Sequence, residues 1–172
     1  TPRFAPAPPP EPLVLSPRQQ EVFEGLCSLY EQPTPQAALL FGVTGSGKTQ
    51  VFIRLIQHCL ADGKQAILMV PEISLTPQMV QKFQGWFGRQ VAVLHSGLSA
   101  GERLDEYRRI RSGEARIVIG TRISVFAPCR RLGLIIMDEE GEHSYKSDMT
   151  PRYHARDIAK LRSGYHRSLL LL

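Results

Sequence analysis

From Leu15 onward, apolar residues along this chain switch repeatedly between two periods. Val22, Phe23, Leu26 and Leu29 recur at helical spacing. Ser16 and Pro17 ahead of them supply an N-cap and a proline at the first helical position. Residues 37–41 form a short apolar run that leads into Gly42. A helical pattern follows over 48–60 and closes at Asp62-Gly63. Further along, 65–70 reads as strand, 75–87 as helix, 91–94 as strand and 99–110 as helix. Residues 116–119 and 132–137 read as strands, 154–161 as helix, and 168–172 as another buried strand. Strands that are apolar throughout are buried on both faces, and the amphipathic helices between them provide crossovers. The pattern predicts an α/β domain with a doubly wound, mainly parallel sheet and helices on both faces.

Composition adds little to that picture. Of the 172 residues 42% are hydrophobic and 22% charged, an ordinary balance for one domain with a core. Residues 1–14 differ: proline and alanine dominate, with Pro8, Pro9 and Pro10 consecutive, so an extended linker is expected ahead of a domain spanning 15–172. The start lacks the apolar centre of a signal peptide, and no apolar run reaches the ~20 residues that span a bilayer, so a cytoplasmic protein without a membrane partner is expected. Cys27, Cys59 and Cys129 are far apart and sit in apolar surroundings, which favours buried small hydrophobes over a zinc site. The formal net charge of +5 is compatible with a polyanionic partner. Trp86 reads as core.

Chemistry enters at Gly42-Val43-Thr44-Gly45-Ser46-Gly47-Lys48-Thr49, which fits G-x-x-x-x-G-K-[ST]. Gly42, Gly45 and Gly47 let the backbone curl until successive N–H groups, those of Thr44 and Ser46 included, face phosphate oxygens. The helix that follows offers its positive end to the same anion. Lys48 reaches the outer phosphates and the Thr49 hydroxyl ligates Mg²⁺. A chance match in a chain this long is on the order of one in two hundred. The second half of the site is Asp138-Glu139, placed where the apolar run 132–137 ends. Asp138 is positioned to hold the metal and Glu139 to polarise an attacking water, the pair of tasks that ATP hydrolysis requires. Asp138-Glu139-Glu140-Gly141 also fits the D-x-x-G of guanine-nucleotide switches. Such switches read their base with N-K-x-D, and this sequence contains no asparagine.

Taken together these segments resemble superfamily 2 helicases, and most closely the PriA family of bacterial primosome-assembly helicases. The resemblance runs from about Leu15 to the end of the chain and implies a RecA-like P-loop lobe. Residues 42–49 look like motif I, 70–78 like motif Ia and Asp138-Glu139-Glu140 like motif II. His95-Ser96-Gly97 and Gly120-Thr121-Arg122 look like segments that contact single-stranded DNA. Ser144-Tyr145-Lys146 and the run from Arg152 to Asp157 resemble the aromatic-rich loop after motif II, and Gln19 matches an upstream glutamine that reads adenine. The resemblance implies Mg²⁺-dependent, DNA-stimulated ATP hydrolysis, 3′ to 5′ unwinding and helicase loading at stalled forks. Its implied partners are single-stranded and forked DNA, primosome proteins and single-strand-binding proteins, in a bacterial cytoplasm at the nucleoid. Thr76, Ser96, Thr121 and Arg122 are then the expected phosphate grips, with Tyr145 stacking on bases beside Lys146 and Arg152. Gly141 stands where the family usually has histidine. The family's second motor lobe and N-terminal DNA-binding domains are expected outside this chain, so the isolated lobe should bind nucleotide and hydrolyse it weakly.

Overall fold

The computed structural model describes residues 10, 13–38, 40, 46–139 and 154–172. Most of the expected linker, the glycines of the loop before Ser46 and the aromatic-rich segment up to Tyr153 lie outside these residues, while His154 caps a helix that takes up Ala155, Arg156 and Asp157. The first helix, α1 (Pro17–Tyr30), begins as its sequence dictates. Ser16 and Gln19 form a reciprocal capping box, and Pro17 takes the first helical position. Then follow β1 (Gln36–Ala38), α2 (Ser46–Ala61) and β2 (Gln65–Met69), α3 (Pro77–Phe87) and β3 (Val91–Leu94), then α4 (Ala100–Ser112) and β4 (Ile117–Gly120). The described residues end with β5 (Leu132–Met137), α5 (Ala155–His166) and β6 (Leu169–Leu171). Short 3₁₀ turns at Glu72–Ser74, Gly88–Gln90 and Arg122–Phe126 are not legible from the pattern.

Most boundaries shift by a residue or two from the sequence reading, and two of the shifts have a local cause. Helix α3 starts at Pro77 rather than Leu75, because a residue before proline is driven out of the helical region. Thr76 is extended (φ −104°, ψ 158°) and caps the helix by accepting from the Met79 N–H. Helix α5 runs to His166, five residues past the expected end. Its last turn carries Ser163, Gly164 and an exposed Tyr165, which hide the periodicity. The buried Ser163 hydroxyl donates to the Ser168 carbonyl and ties that turn to β6.

The described strands form one six-stranded, wholly parallel sheet in the order β1-β6-β5-β2-β4-β3. From β1 to β2 to β3 the chain moves one way across the sheet, and from β3 to β4, β5 and β6 it moves back. Right-handed crossovers require opposite faces for those two directions. Accordingly α2 and α3 pack on one face and α4, α5 and the Arg122–Phe126 turn on the other. The two hydrophobic cores divide the same way: Ala66, Leu68 and Val70 join Val51, Ile53, Leu55 and Phe83, whereas Ile67 and Met69 join Ile110, Val125 and Ala159. Every residue of β2, β4 and β5 is buried. Trp86 and half-buried Cys27 border the first core, while Cys59 and Cys129 are buried, with thiols pushed up to about 12 by burial. Among the described residues no helix is long and apolar enough to cross a membrane.

Two polar devices hold the frame. Gln65, 5% exposed at the start of β2, donates to the Ile110 and Ala115 carbonyls, both at 3.0 Å. It accepts from the Arg130 and Arg131 N–H groups at 3.0 and 3.3 Å. One amide thus ties together the ends of α4, β4 and β5 that lie farthest from the loops described next. At the sheet's β3 edge, the buried Glu106 of α4 accepts from the Val93 N–H at 2.7 Å. Arg109, paired with Glu106, donates to the carbonyls of Arg89 and Val91. These contacts cover backbone groups that an open edge strand would expose.

Candidate nucleotide and nucleic-acid site

All six strands run the same way, so the carboxyl ends of β1 to β5 lie along one edge of the sheet, where open α/β folds gather ligands. Because β6 lies between β1 and β5, the ends of those two strands stand two strand spacings apart, about 10 Å. Into this gap α2 directs its N-terminus, whose first turn contains no acidic residue. Lys48 lies in that turn. Its Nζ is 3.9 Å from Oδ1 of Asp138, the residue after β5, an ion pair too long for a hydrogen bond. Asp138 is held in place by its own N–H, which donates to the Met69 carbonyl at 2.9 Å and extends the ladder with β2. Burial raises the Asp138 carboxyl above the ordinary carboxylate range, and the Lys48 ammonium and the Glu139 N–H pull it partly back. Glu139 is exposed and left-handed, with φ 52°, a conformation that costs a residue with a side chain on the order of 1 kcal/mol. Thr49 is half-buried, one residue along α2 from Lys48.

The donor set suits a magnesium–phosphate group. A carboxylate and a threonine hydroxyl are hard oxygen ligands, the ammonium matches phosphate charge, and a helix N-terminus faces the same point. The described structure thus brings Lys48 and Asp138 together and sets Thr49 and Glu139 beside them. Gly47 meets Gln19: the glutamine Nε2 donates to the Gly47 carbonyl at 3.2 Å while its Oε1 accepts from Ser16 N–H at 2.8 Å. The residue expected to read adenine therefore links the α1 cap to the first turn of α2. Gly42, Thr44 and Gly45 lie outside the described residues, as does the side chain of Ser46.

Of the expected nucleic-acid contacts, Thr76, Ser96 and Thr121 line one cavity of about 710 Å³ between α3 and α4, beside edge strand β3. Arg122 opens the 3₁₀ turn after β4. Tyr145, Lys146 and Arg152 lie outside the described residues. The sequence does not reveal the cavity, since its walls come from segments distant along the chain. Nor does periodicity explain why Gly120 precedes Thr121. A Cβ at Gly120 would sit 2.2 Å from the Leu94 carbonyl oxygen, which accepts from the Thr121 N–H at 3.1 Å. A glycine closing an apolar strand is the one local signal of that close approach.

The DEAD/DEAH box helicase family model matches residues 16–171. The replication restart protein PriA of Bacillus subtilis (strain 168) is 51% identical over 162 residues, which cover 94% of this chain and 20% of that protein. PriA of Treponema pallidum (strain Nichols) is 56% identical over 121 residues, 70% of this chain and 18% of that protein. The chain thus spans about a fifth of the length of these curated relatives. Among solved structures, RecG bound to a three-way DNA junction superposes with a TM-score of 0.66 at 24% identity, covering 94% of this chain and 21% of that one. T4 UvsW superposes at 0.56 with 15% identity, covering 90% and 28%. These two likenesses concern the fold, a helicase-type α/β lobe. With nearly its whole length matched by the family model, the chain belongs to the DEAD/DEAH box helicases.

Proposed function

We propose that this chain is the ATP-binding motor lobe of a 3′ to 5′ DNA helicase that acts in replication restart and primosome assembly. The observation that carries the reading is the meeting of Lys48 and Asp138 at 3.9 Å, where α2 begins and β5 ends. In it, Lys48 and the backbone of residues 42–47 bind the phosphates, Thr49 and Asp138 hold Mg²⁺, and Gln19 sits at the adenine side. Bound Mg²⁺ neutralises developing phosphate charge. Glu139 orients water at the exposed end of β5. The raised Asp138 carboxyl supports a metal role, because a divalent cation supplies the positive charge that burial makes valuable.

A DNA strand crosses the same sheet edge, gripped by Thr76, Ser96, Thr121 and Arg122 and by the segment containing Tyr145, Lys146 and Arg152. Likeness to PriA proteins and to a RecG bound to a three-way DNA junction supports DNA, forked DNA included, as the substrate. Primosome and single-strand-binding proteins are the corresponding partners.

The test is nucleotide binding and ATP turnover, with and without single-stranded DNA, for the full-length protein and for this lobe alone. Lys48→Ala removes a charge-assisted contact and should weaken nucleotide binding by roughly tenfold to a hundredfold. Unchanged affinity overturns the site. Turnover by the lobe alone equal to that of the full-length protein overturns the expectation of a weakly active fragment.

A further inference from the structure

We propose that the cavity between α3 and α4 receives a single nucleobase, turned out of the DNA strand that crosses the sheet edge. The inference rests on the reading that this edge carries DNA. It adds a base-binding site where Thr76, Ser96 and Thr121 are otherwise expected to grip the backbone.

The cavity's volume, about 710 Å³, lies within the range of small-ligand sites. Its chemistry decides the occupant. Among the described residues none lining it is lysine or arginine, while Glu72, Glu102 and Glu106 are in its wall. A phosphate entering there would find glutamates in the described wall, and Arg109 beside Glu106 is already engaged by Glu106 and Glu114. A peptide added as a strand along β3 is also excluded, because Glu106 and Arg109 already occupy the backbone groups of Val91 and Val93.

A base suits what remains. Val80 and Val93 give apolar wall, and Gln81 and Gln84 offer amides of the kind that pair with base edges. Nδ1 of His95 accepts from the Gly97 N–H at 3.1 Å, so in the neutral ring Nε2 carries the proton and is a donor. The flat ring also suits stacking. A second observation concerns a polar group in the wall: Thr121 is 4% exposed, and its buried Oγ1 has no hydrogen-bond partner among the described residues. One staggered step about χ1 would carry the hydroxyl into a position now held by the methyl group or the hydrogen, where an occupant of the cavity can offer it a partner. The arrangement therefore assigns Thr121 to a base edge rather than to a phosphate.

The experiment uses the full-length protein and thymidine oligonucleotides carrying 2-aminopurine at successive positions. A base lifted from its stack changes emission at its own position. The expected result is a several-fold rise at one position and small changes elsewhere. Val93→Trp, which fills the cavity, should abolish that rise and lower affinity about tenfold. Because the larger ring could disturb folding, Gln81→Ala with Gln84→Ala provides a second variant; it should weaken the rise and leave thermal unfolding unchanged. Uniform emission along a bound oligonucleotide overturns the base pocket and leaves the DNA-edge reading intact. A rise that survives both variants does the same. Affinity unaffected by Thr76→Ala and Arg122→Ala overturns the DNA-edge reading, and this inference with it.

Discussion

Replacing Gly120 with alanine adds one methyl group where the sheet and the candidate site meet, and the structure sets the size of the effect. The new Cβ would stand 2.2 Å from the Leu94 carbonyl oxygen, where ordinary contact begins at 3.4 Å, so β3 and β4 must separate by about 1.2 Å. The obstacle is backbone in a buried strand and cannot rotate aside. Overpacking of this kind, with weakening of the Thr121 N–H to Leu94 bond, costs about 3 kcal/mol. With a urea m-value of about 2 kcal/mol/M, the unfolding midpoint should fall by about 1.5 M at unchanged m. Gly25 supplies the opposite case. It lies inside α1, and a methyl group added there would meet nothing within 4 Å, so Gly25→Ala should stabilise by about 0.5–1 kcal/mol. The same chemical change thus carries opposite signs at two sites, read by one urea titration on each variant. A Gly120→Ala midpoint within 0.3 M of the parent, roughly a tenth of ordinary stability, refutes the close approach of Leu94 and the placement of Thr121 that depends on it.

Gln65→Met keeps the shape of a buried side chain and removes four hydrogen bonds, so it should cost about 3 kcal/mol, measured by the same urea midpoint. Asp138→Asn tests the electrostatics of the nucleotide site. Burial raises the folded Asp138 carboxyl above its unfolded value, so the group adds stability at low pH that is lost as pH rises through the folded value. At neutral pH its charge therefore works against folding. The asparagine variant should melt higher there when free of nucleotide and metal, with the gain vanishing below the carboxylate range; a lower melting point at neutral pH contradicts the desolvated carboxylate. The same variant should lose Mg²⁺-dependent nucleotide affinity, followed by titration with and without the metal.

Much of this molecule is written locally. Ser16-Pro17 and Ser99 with Glu102 specify helix starts because caps and their partners lie within three residues of each other. The unbroken apolar runs of β2, β4 and β5 announce strands covered on both faces. The glycine-loop spacing and the acid after an apolar run carry the candidate site, since both are short-range patterns tied to strand ends. The order of the strands is not written there. That β6 separates β1 from β5, bringing Lys48 to 3.9 Å from Asp138 across ninety residues, follows from how crossovers distribute helices over the two faces. The four-bond role of Gln65, the Glu106 contact to the edge strand and the cavity under Thr121 also exist only once distant segments pack. Each depends on groups whose neighbours in space are not neighbours in sequence, and hydrophobic periodicity says which face a residue takes, never what waits across it.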